Sequence, residues 1–176
     1  MLMKPVLIVI DFQERLAKHI SGIEDVLKNA VKLIKACKIL GIPTILTEQI
    51  KLGETVKEVR EALDSEPIPK ASFSCMRCGE FLRRLREIGS DTCILVGIEA
   101  HICVLQTALD LLGEGYRVYV ALDSIGSRRD YDKEVAVLRM VQEGAIPATS
   151  ESIIYELLET AEHEKFREVL GIVKEG

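Results

Sequence analysis

The stretch TCILVGI at Thr92–Ile98 decides the fold, because seven consecutive residues include no charged side chain and four of them are β-branched. Such a run predicts a strand that is buried on both faces, as in parallel sheets. A similar run, PVLIVI, occupies Pro5–Ile10. Segments with apolar residues at helical spacing follow both runs, and this alternation is typical of α/β proteins with a parallel sheet.

Six strands are predicted along the chain, and helices are predicted between them. The strands are expected at 5–10, 42–47, 67–70, 92–98, 116–122 and 145–148, and two further helices are expected after the last strand. A chain of 176 residues with a hydrophobic content of 48% fits a single domain, which we expect to cover 1–176.

Local signals predict where individual helices begin. Ser21 with Glu24, and Thr55 with Glu58, have the spacing of capping boxes ahead of two helices. The sixth helix is predicted from three apolar residues at helical spacing, namely Val135, Leu138 and Val141.

The composition argues against several classes of partner and location. The net charge is −5 at pH 7 and the isoelectric point is about 5.4, so neither nucleic acid nor an anionic membrane is expected to bind. The apolar run Val6–Ile10 is too short for a signal peptide or a transmembrane helix, which predicts a cytoplasmic protein. The cysteine count of five is odd, which argues against a disulfide framework.

Three reactive side chains lie where predicted strands end. Asp11 directly follows the first strand, Lys70 ends the third, and Cys103 comes a few residues after the fourth. Ligands of open α/β sheets bind beyond the carboxyl ends of the strands, so these side chains are expected to meet there. Taken singly, each has an ordinary alternative: Asp11 as a helix cap, Lys70 as a solvated cation, and Cys103 as a core residue.

Cys103 is predicted to have a lowered thiol pKa. It falls in the first turn of the fifth predicted helix, where unpaired N–H groups present a partial positive charge. A helix N-terminus and a nearby lysine both stabilise a thiolate, so Cys103 is expected to be the most acidic and most reactive of the five thiols.

Four motifs make the chain resemble the isochorismatase-like cysteine hydrolases over nearly its whole length. They are VIDFQ at Val9–Gln13, Lys70 followed by SFS at Ser72–Ser74, LVGIEAHICV at Leu95–Val104, and TALD at Thr107–Asp110. The third motif is the most specific of the four. Within the family, the chain is most similar to the small isochorismatase-domain proteins, many of which have no assigned substrate.

The resemblance implies a fold and a set of catalytic residues. The fold is a three-layer α/β/α sandwich around a mostly parallel sheet of about six strands, with the first strand beside the fourth. Cys103 is the implied nucleophile, Lys70 its charge partner, and Asp11 its proton-transfer group. A cis peptide bond is implied between Ile98 and Glu99, and the backbone N–H groups of Glu99 and Cys103 are implied to form an oxyanion hole.

The implied reaction is hydrolysis of a C–N bond in a small amide, urea or carbamoyl compound through a thioester. Phe73 and Gln13 are expected to line the substrate pocket. True isochorismatases cleave a vinyl ether and need no cysteine nucleophile, so Cys103 favours the C–N branch while vinyl ether cleavage stays an alternative. The resemblance also implies a homo-oligomer, either a dimer or a tetramer.

No metal or other cofactor is expected. Related nicotinamidases bind a metal through an Asp-x-His pair and a further histidine, whereas the sequence TEQI at Thr47–Ile50 occupies that region here. The three histidines of this chain, His19, His101 and His163, lie elsewhere. Nicotinamidase activity is therefore disfavoured.

Two other interpretations stay open. Cys75 and Cys78 form a C-x-x-C pair, which in another setting would indicate redox chemistry or half of a zinc site. A non-catalytic binding protein on the same fold is the second alternative. Arg128 and Arg129, which precede the sixth predicted helix, are expected to be solvated, with an interface role as the second interpretation.

Overall fold

The computed structural model describes residues 2–175, and one sheet of six parallel strands lies at its centre. The strands are β1 at Pro5–Ile10, β2 at Thr44–Gln49, β3 at Ile68–Lys70, β4 at Thr92–Ile98, β5 at Arg117–Gly126 and β6 at Ile146–Ala148. Their order across the sheet is β3-β2-β1-β4-β5-β6.

Helices cover both faces of this sheet. They are α1 at Glu14–Ala17, α2 at Ile23–Ile39, α3 at Lys57–Ala62, α4 at Gly79–Ile88, α5 at Leu105–Gly113, α6 at Asp130–Gln142, α7 at Ser150–Leu158 and α8 at Phe166–Lys174. A 3-10 turn covers Cys75–Arg77 and a π-helical turn covers Ala100–Val104. No helix within residues 2–175 is long and apolar enough to cross a bilayer.

Two apolar cores separate the layers. Successive side chains of a strand point to opposite faces, so Leu7 and Val9 pack in one core while Val6, Ile8 and Ile10 pack in the other. The first core is closed by α2, α3, α7 and α8, and the second by α4, α5 and α6. The predicted three-layer α/β/α fold with a parallel sheet is confirmed.

The chain reverses its direction of travel across the sheet between β1 and β4. From β1 it builds outward through β2 to β3, then returns to the centre and builds through β4 and β5 to β6. Adjacent crossovers that leave in opposite directions open a crevice at the carboxyl ends of the two central strands. Asp11 and Glu99 are the first residues after β1 and β4, so both lie at this crevice.

Neither predicted capping box forms. Helix α2 begins after Gly22, which adopts a left-handed φ of 65°, and the Ser21 backbone N–H instead donates to the Ser127 carbonyl at 3.0 Å. Ahead of α3, the hydroxyl of Thr55 donates to the Glu48 carboxylate at 2.6 Å. In both cases a residue outside the helix takes the group that a local cap would use.

Two further predictions are corrected by packing. In α6, Val135, Leu138 and Val141 are exposed, and the buried residues are Ala136 and Met140. The spacing of these three residues correctly predicted a helix, but they lie on its exposed side. Strand β5 also continues beyond its predicted end at 122, because extra residues in β5 shift its register against β4, so that Gly97 and Ile98 pair with Ile125 and Gly126.

Candidate active site

Asp11 stands at the carboxyl end of β1 in a left-handed conformation, with φ of 53°. Its side chain is fully buried. The Thr47 hydroxyl donates to Oδ1 at 2.8 Å, and the Lys70 ammonium donates to Oδ2 at 2.9 Å. Each carboxylate oxygen therefore has a dedicated donor, which holds Asp11 in one orientation.

Gly97 allows the ends of β1 and β4 to approach this closely. Its φ is 139°, and a Cβ added there would overlap the carbonyl oxygen of Ile10. Any side chain at this position would therefore displace the residue that immediately precedes Asp11.

Lys70 connects the groups around the crevice. Besides Asp11, its Nζ donates to Gln49 Oε1 at 2.7 Å and to the carbonyl oxygens of Ser72 and Phe73 at 3.0 and 2.9 Å. It also lies 3.6 Å from Cys103 Sγ. Five acceptors around one ammonium group fix the Lys70 side chain and anchor the loop that follows β3.

Cys103 lies in the π-helical turn that follows β4, and only 6% of its surface is exposed. Its Sγ is 3.9 Å from Gln49 Oε1 in addition to the contact with Lys70. Asp11, Lys70 and Cys103 are thus brought together, although 59 residues separate the first two and 33 the last two.

The charges and the burial around Cys103 contradict the predicted lowering of its thiol pKa. Burial, followed by the Asp11 carboxylate, raises the pKa of the Cys103 thiol above its ordinary value of 9.0, and Lys70 only partly offsets this. Burial would lower the pKa of Lys70, but Asp11 and the nearby thiols raise it above 10.5 overall. The expectation of a lowered Cys103 pKa is wrong, because the helix-terminus argument omitted both desolvation and the neighbouring carboxylate.

The peptide bond between Ile98 and Glu99 is cis. The Glu99 carboxylate is 4% exposed and accepts hydrogen bonds from the Arg128 backbone N–H at 3.0 Å and from Arg128 Nε at 3.1 Å. Arg128 is therefore not merely solvated, which corrects the sequence-based interpretation. Arg129 follows that interpretation more closely: its side chain is 81% exposed and pairs with Asp132.

A second contact ties the same turn to the segment before α6. His101 Nδ1 lies 2.8 Å from the Ser127 hydroxyl, and its Nε2 lies 3.9 Å from an Asp132 oxygen. The turn that carries Cys103 is consequently braced at Glu99 and at His101 by the residues between β5 and α6.

Gln13 takes a different place from the one predicted. Its side chain is completely buried: Nε2 donates to the carbonyls of Gln49 and Gly53, both at 2.8 Å, and Oε1 accepts from the Gln49 N–H. Gln13 therefore supports Gln49 and does not line a pocket. Phe73, the other predicted pocket residue, is 53% exposed and lies beside the site through its carbonyl contact with Lys70.

Gln49 is the site residue that sequence analysis missed. Its Nε2 donates to the Ala71 carbonyl at 2.7 Å, which aims Oε1 at Lys70 and Cys103. The residue belongs to the segment 47–50, which lacks the histidines of a metal site but ends β2 at the crevice. Its position at the end of β2, beside β1, was the signal that could have found it.

The C-x-x-C pair is unlike a redox motif. Cys75 is fully buried, and burial raises its pKa to about 12, whereas Cys78 is half-buried. Both thiols are free, and Cys75 Sγ lies 4.0 Å from the Thr47 hydroxyl that holds Asp11. Within residues 2–175 no group of three or more His, Cys, Asp and Glu side chains is arranged to bind a metal.

Comparison with known proteins identifies the relatives of this chain. The sequence model of the isochorismatase domain matches residues 5–152. Isochorismatase domain-containing protein 1 from Danio rerio is 38% identical over 167 residues, which are 93% of this chain and 59% of that protein. The chain thus spans about three fifths of the length of that relative.

Solved structures give the same relationship. The structure described as MAR1 ribonuclease from Caenorhabditis elegans superposes with a TM-score of 0.91 at 41% identity, covering 97% of this chain and 89% of that one. YcaC from Escherichia coli, described as an octameric hydrolase of unknown specificity, superposes with a TM-score of 0.86 at 21% identity, covering 97% of this chain and 94% of that one. The second comparison is a likeness of fold.

Proposed function

The chain belongs to the isochorismatase family, and from that premise we propose that it is a cysteine hydrolase that cleaves a C–N bond in a small amide, urea or carbamoyl compound. The observation that carries this proposal is the position of Lys70 Nζ, which contacts both Asp11 Oδ2 and Cys103 Sγ. A thiol, a carboxylate and an ammonium group in mutual contact provide a nucleophile, a base and a charge stabiliser.

The resting state of this site has a neutral thiol, a carboxylate and an ammonium group. Cys103 Sγ attacks the substrate carbonyl carbon while its proton passes to Asp11, and the C=O electron pair moves onto oxygen. The N–H groups of Glu99 and Cys103 receive this oxyanion. When the intermediate collapses, the C–N bond breaks, Asp11 returns the proton to the leaving nitrogen, and a thioester remains.

Water completes the reaction. Asp11, again a carboxylate, takes a proton from water as the water oxygen attacks the thioester carbonyl. The C–S bond breaks, the acid product leaves, and the thiol regains its proton. A raised thiol pKa suits this sequence, because the proton leaves Cys103 only as the sulfur attacks.

Two alternatives find less support. Vinyl ether cleavage requires no nucleophile, so it leaves the contact between Lys70 and Cys103 without a role. The Caenorhabditis elegans relative is described as a ribonuclease. In this chain the net charge is −5, and Lys70 and Arg128 are already paired with carboxylates, which does not favour binding of a polyanion.

We also propose that the chain self-associates, as a dimer or a tetramer. Support comes from the octameric description of YcaC and from large apolar side chains exposed on α6, among them Leu138 at 59%. Light scattering at micromolar concentration tests this directly. A monomer throughout that range would contradict it.

The proposed function is tested by ammonia release from a panel of small amides, ureas and carbamoyl compounds. Cys103→Ala is expected to abolish turnover, and Cys103→Ser to be nearly inactive, since a hydroxyl is a far weaker nucleophile near neutral pH. Rapid acid quenching followed by mass spectrometry should show the acyl group on Cys103 of the wild type. Cys78→Ala is the matched control and should keep activity. Turnover in Cys103→Ala would refute the mechanism.

A further inference from the structure

The charged side chains around the catalytic turn are matched one to one. Asp11 pairs with Lys70 at 2.9 Å, and Glu99 pairs with Arg128 at 3.1 Å. Asp132, which approaches His101, pairs with Arg129 at 3.1 Å. Among residues 2–175, these three acidic groups at the turn thus each have a cation of their own.

From this matching we infer that the site takes substrates without net charge, namely neutral amides, ureas or carbamoyl compounds, and discriminates against substrates that carry a carboxylate. The inference rests on the proposed function, because it concerns the same thiol. It goes further by choosing among substrate classes that the Asp11, Lys70 and Cys103 arrangement alone would accept equally.

The reaction itself keeps this balance only for a neutral substrate. Before attack, the ammonium of Lys70 is balanced by the Asp11 carboxylate. During attack, the thiol proton neutralises Asp11 and one negative charge appears on the substrate oxygen. The single positive charge of Lys70 therefore serves one negative charge at each stage, and a substrate carboxylate would add a second one without a counter-ion.

Two side chains on the surface beside the site are apolar. The Phe73 carbonyl accepts from Lys70 Nζ, and the Phe73 side chain is 53% exposed. The Ile50 N–H donates to the Lys70 carbonyl, and the Ile50 side chain is 48% exposed. Apolar groups beside the site cannot solvate a carboxylate that loses its water.

Alkylation of Cys103 measures the discrimination without knowledge of the substrate. Iodoacetamide and iodoacetate both form an S–C bond with loss of iodide, and they differ in that only iodoacetate carries a negative charge. The ratio of their rates at Cys103, followed by peptide mass spectrometry, is compared with the ratio for a small neutral thiol in the same buffer. We expect Cys103 to favour iodoacetamide about tenfold more than the free thiol does.

Charge variants test the cause. Glu99→Gln leaves Arg128 unmatched and should raise the iodoacetate rate relative to iodoacetamide by about three- to tenfold. Arg128→Gln leaves Glu99 unmatched and should shift the ratio in the opposite direction by a similar factor. Arg83→Gln, which removes an exposed cation that pairs with Glu87 on α4, is the control and should change the ratio less than twofold, since exposed pairs are strongly screened.

Opposite shifts in the first two variants support the inference, since a general loosening of the turn would move both ratios the same way. Equal rates of the two reagents in the wild type, or shifts of the same sign, would overturn it. In the turnover panel, succinamide should be hydrolysed and succinamate should not. Turnover of both compounds would remove the inference and leave the cysteine mechanism in place, whereas turnover without Cys103 would remove the mechanism.

Discussion

Nζ of Lys70 lies 2.9 Å from Oδ2 of Asp11, and both side chains are completely withdrawn from solvent. The two groups are not equally dependent on each other. Lys70 has three further oxygen acceptors, on Gln49, Ser72 and Phe73, whereas the other side-chain donors to Asp11, the Thr47 hydroxyl and the Cys103 thiol, carry no positive charge. Loss of either partner should therefore have an unequal effect on stability.

Lys70→Met should lower the free energy of unfolding by about 3–5 kcal/mol, because it leaves a buried carboxylate without its counter-ion. Asp11→Asn should have a smaller effect, about 1–3 kcal/mol, since the ammonium keeps its carbonyl acceptors and asparagine tolerates the left-handed backbone. Urea unfolding at neutral pH measures both. The double variant should be more stable than Lys70→Met alone, and an equal loss in the two single variants would contradict the asymmetry.

Asp11→Asn should also make the Cys103 thiol more acidic. The Asp11 charge raises the thiol pKa and Lys70 lowers it, so removing the carboxylate leaves only the lowering influence of the two. The pH profile of iodoacetamide alkylation at Cys103 should move to lower pH, although amide turnover is lost because no base remains. Lys70→Met should move the profile the other way. A profile in Asp11→Asn that moves to higher pH would show that Asp11 acts on the thiol in another manner.

The fold was predictable from the sequence because its two central strands, β1 and β4, are buried on both faces. Thr92–Ile98 and Pro5–Ile10 are strands at the predicted bounds. A central strand is buried along its length, so the polar residues that border an apolar run show where the strand begins and ends. Helix α1 was missed because four residues show no periodicity. The apolar residues that predicted α6 lie on its exposed side. Their spacing indicates a helix, but packing decides which side of the helix is buried.

Only those site residues that lie at or just after the ends of predicted strands could be identified from the sequence. Asp11, Lys70 and Cys103 could be placed at one edge by counting strands. The direction of the Cys103 pKa could not, because it depends on burial and on the distance to Asp11. The pairing of Glu99 with Arg128 joins positions 29 residues apart on different loops, and no local pattern marks it.

Gly97→Ala should destabilise the protein by about 3 kcal/mol or more. A φ of 139° is unfavourable for alanine, and the new Cβ would overlap the Ile10 carbonyl oxygen, so backbone strain and overpacking act together. Gly113→Ala is the matched control, because a Cβ there meets no atom within 4 Å at the exposed end of α5. That substitution should be neutral or stabilise by about 0.5–1 kcal/mol. Thermal unfolding of the two variants distinguishes them, and similar melting temperatures would contradict the close approach of β1 and β4.

The protein should lose stability as the pH rises above 9. Burial raises the pKa of Cys37, Cys75 and Cys93 from 9.0 to about 12. Between these values the unfolded chain has released thiol protons that the folded chain still holds, so the unfolded state binds fewer protons. The free energy of unfolding must then fall with increasing pH, and the stabilisation that is complete below 9 disappears progressively toward 12.

Each such thiol contributes a slope of at most about 1.4 kcal/mol per pH unit. Cys37→Ala removes one of them from the last turn of α2, where alanine suits the helix. This variant should be less stable than the wild type at pH 8, because a cavity replaces the sulfur, yet its stability should fall less steeply between pH 9 and 11. Urea unfolding under reducing conditions at several pH values gives both slopes. Parallel curves for the two proteins would show that Cys37 releases its proton at the same pH whether the chain is folded or unfolded.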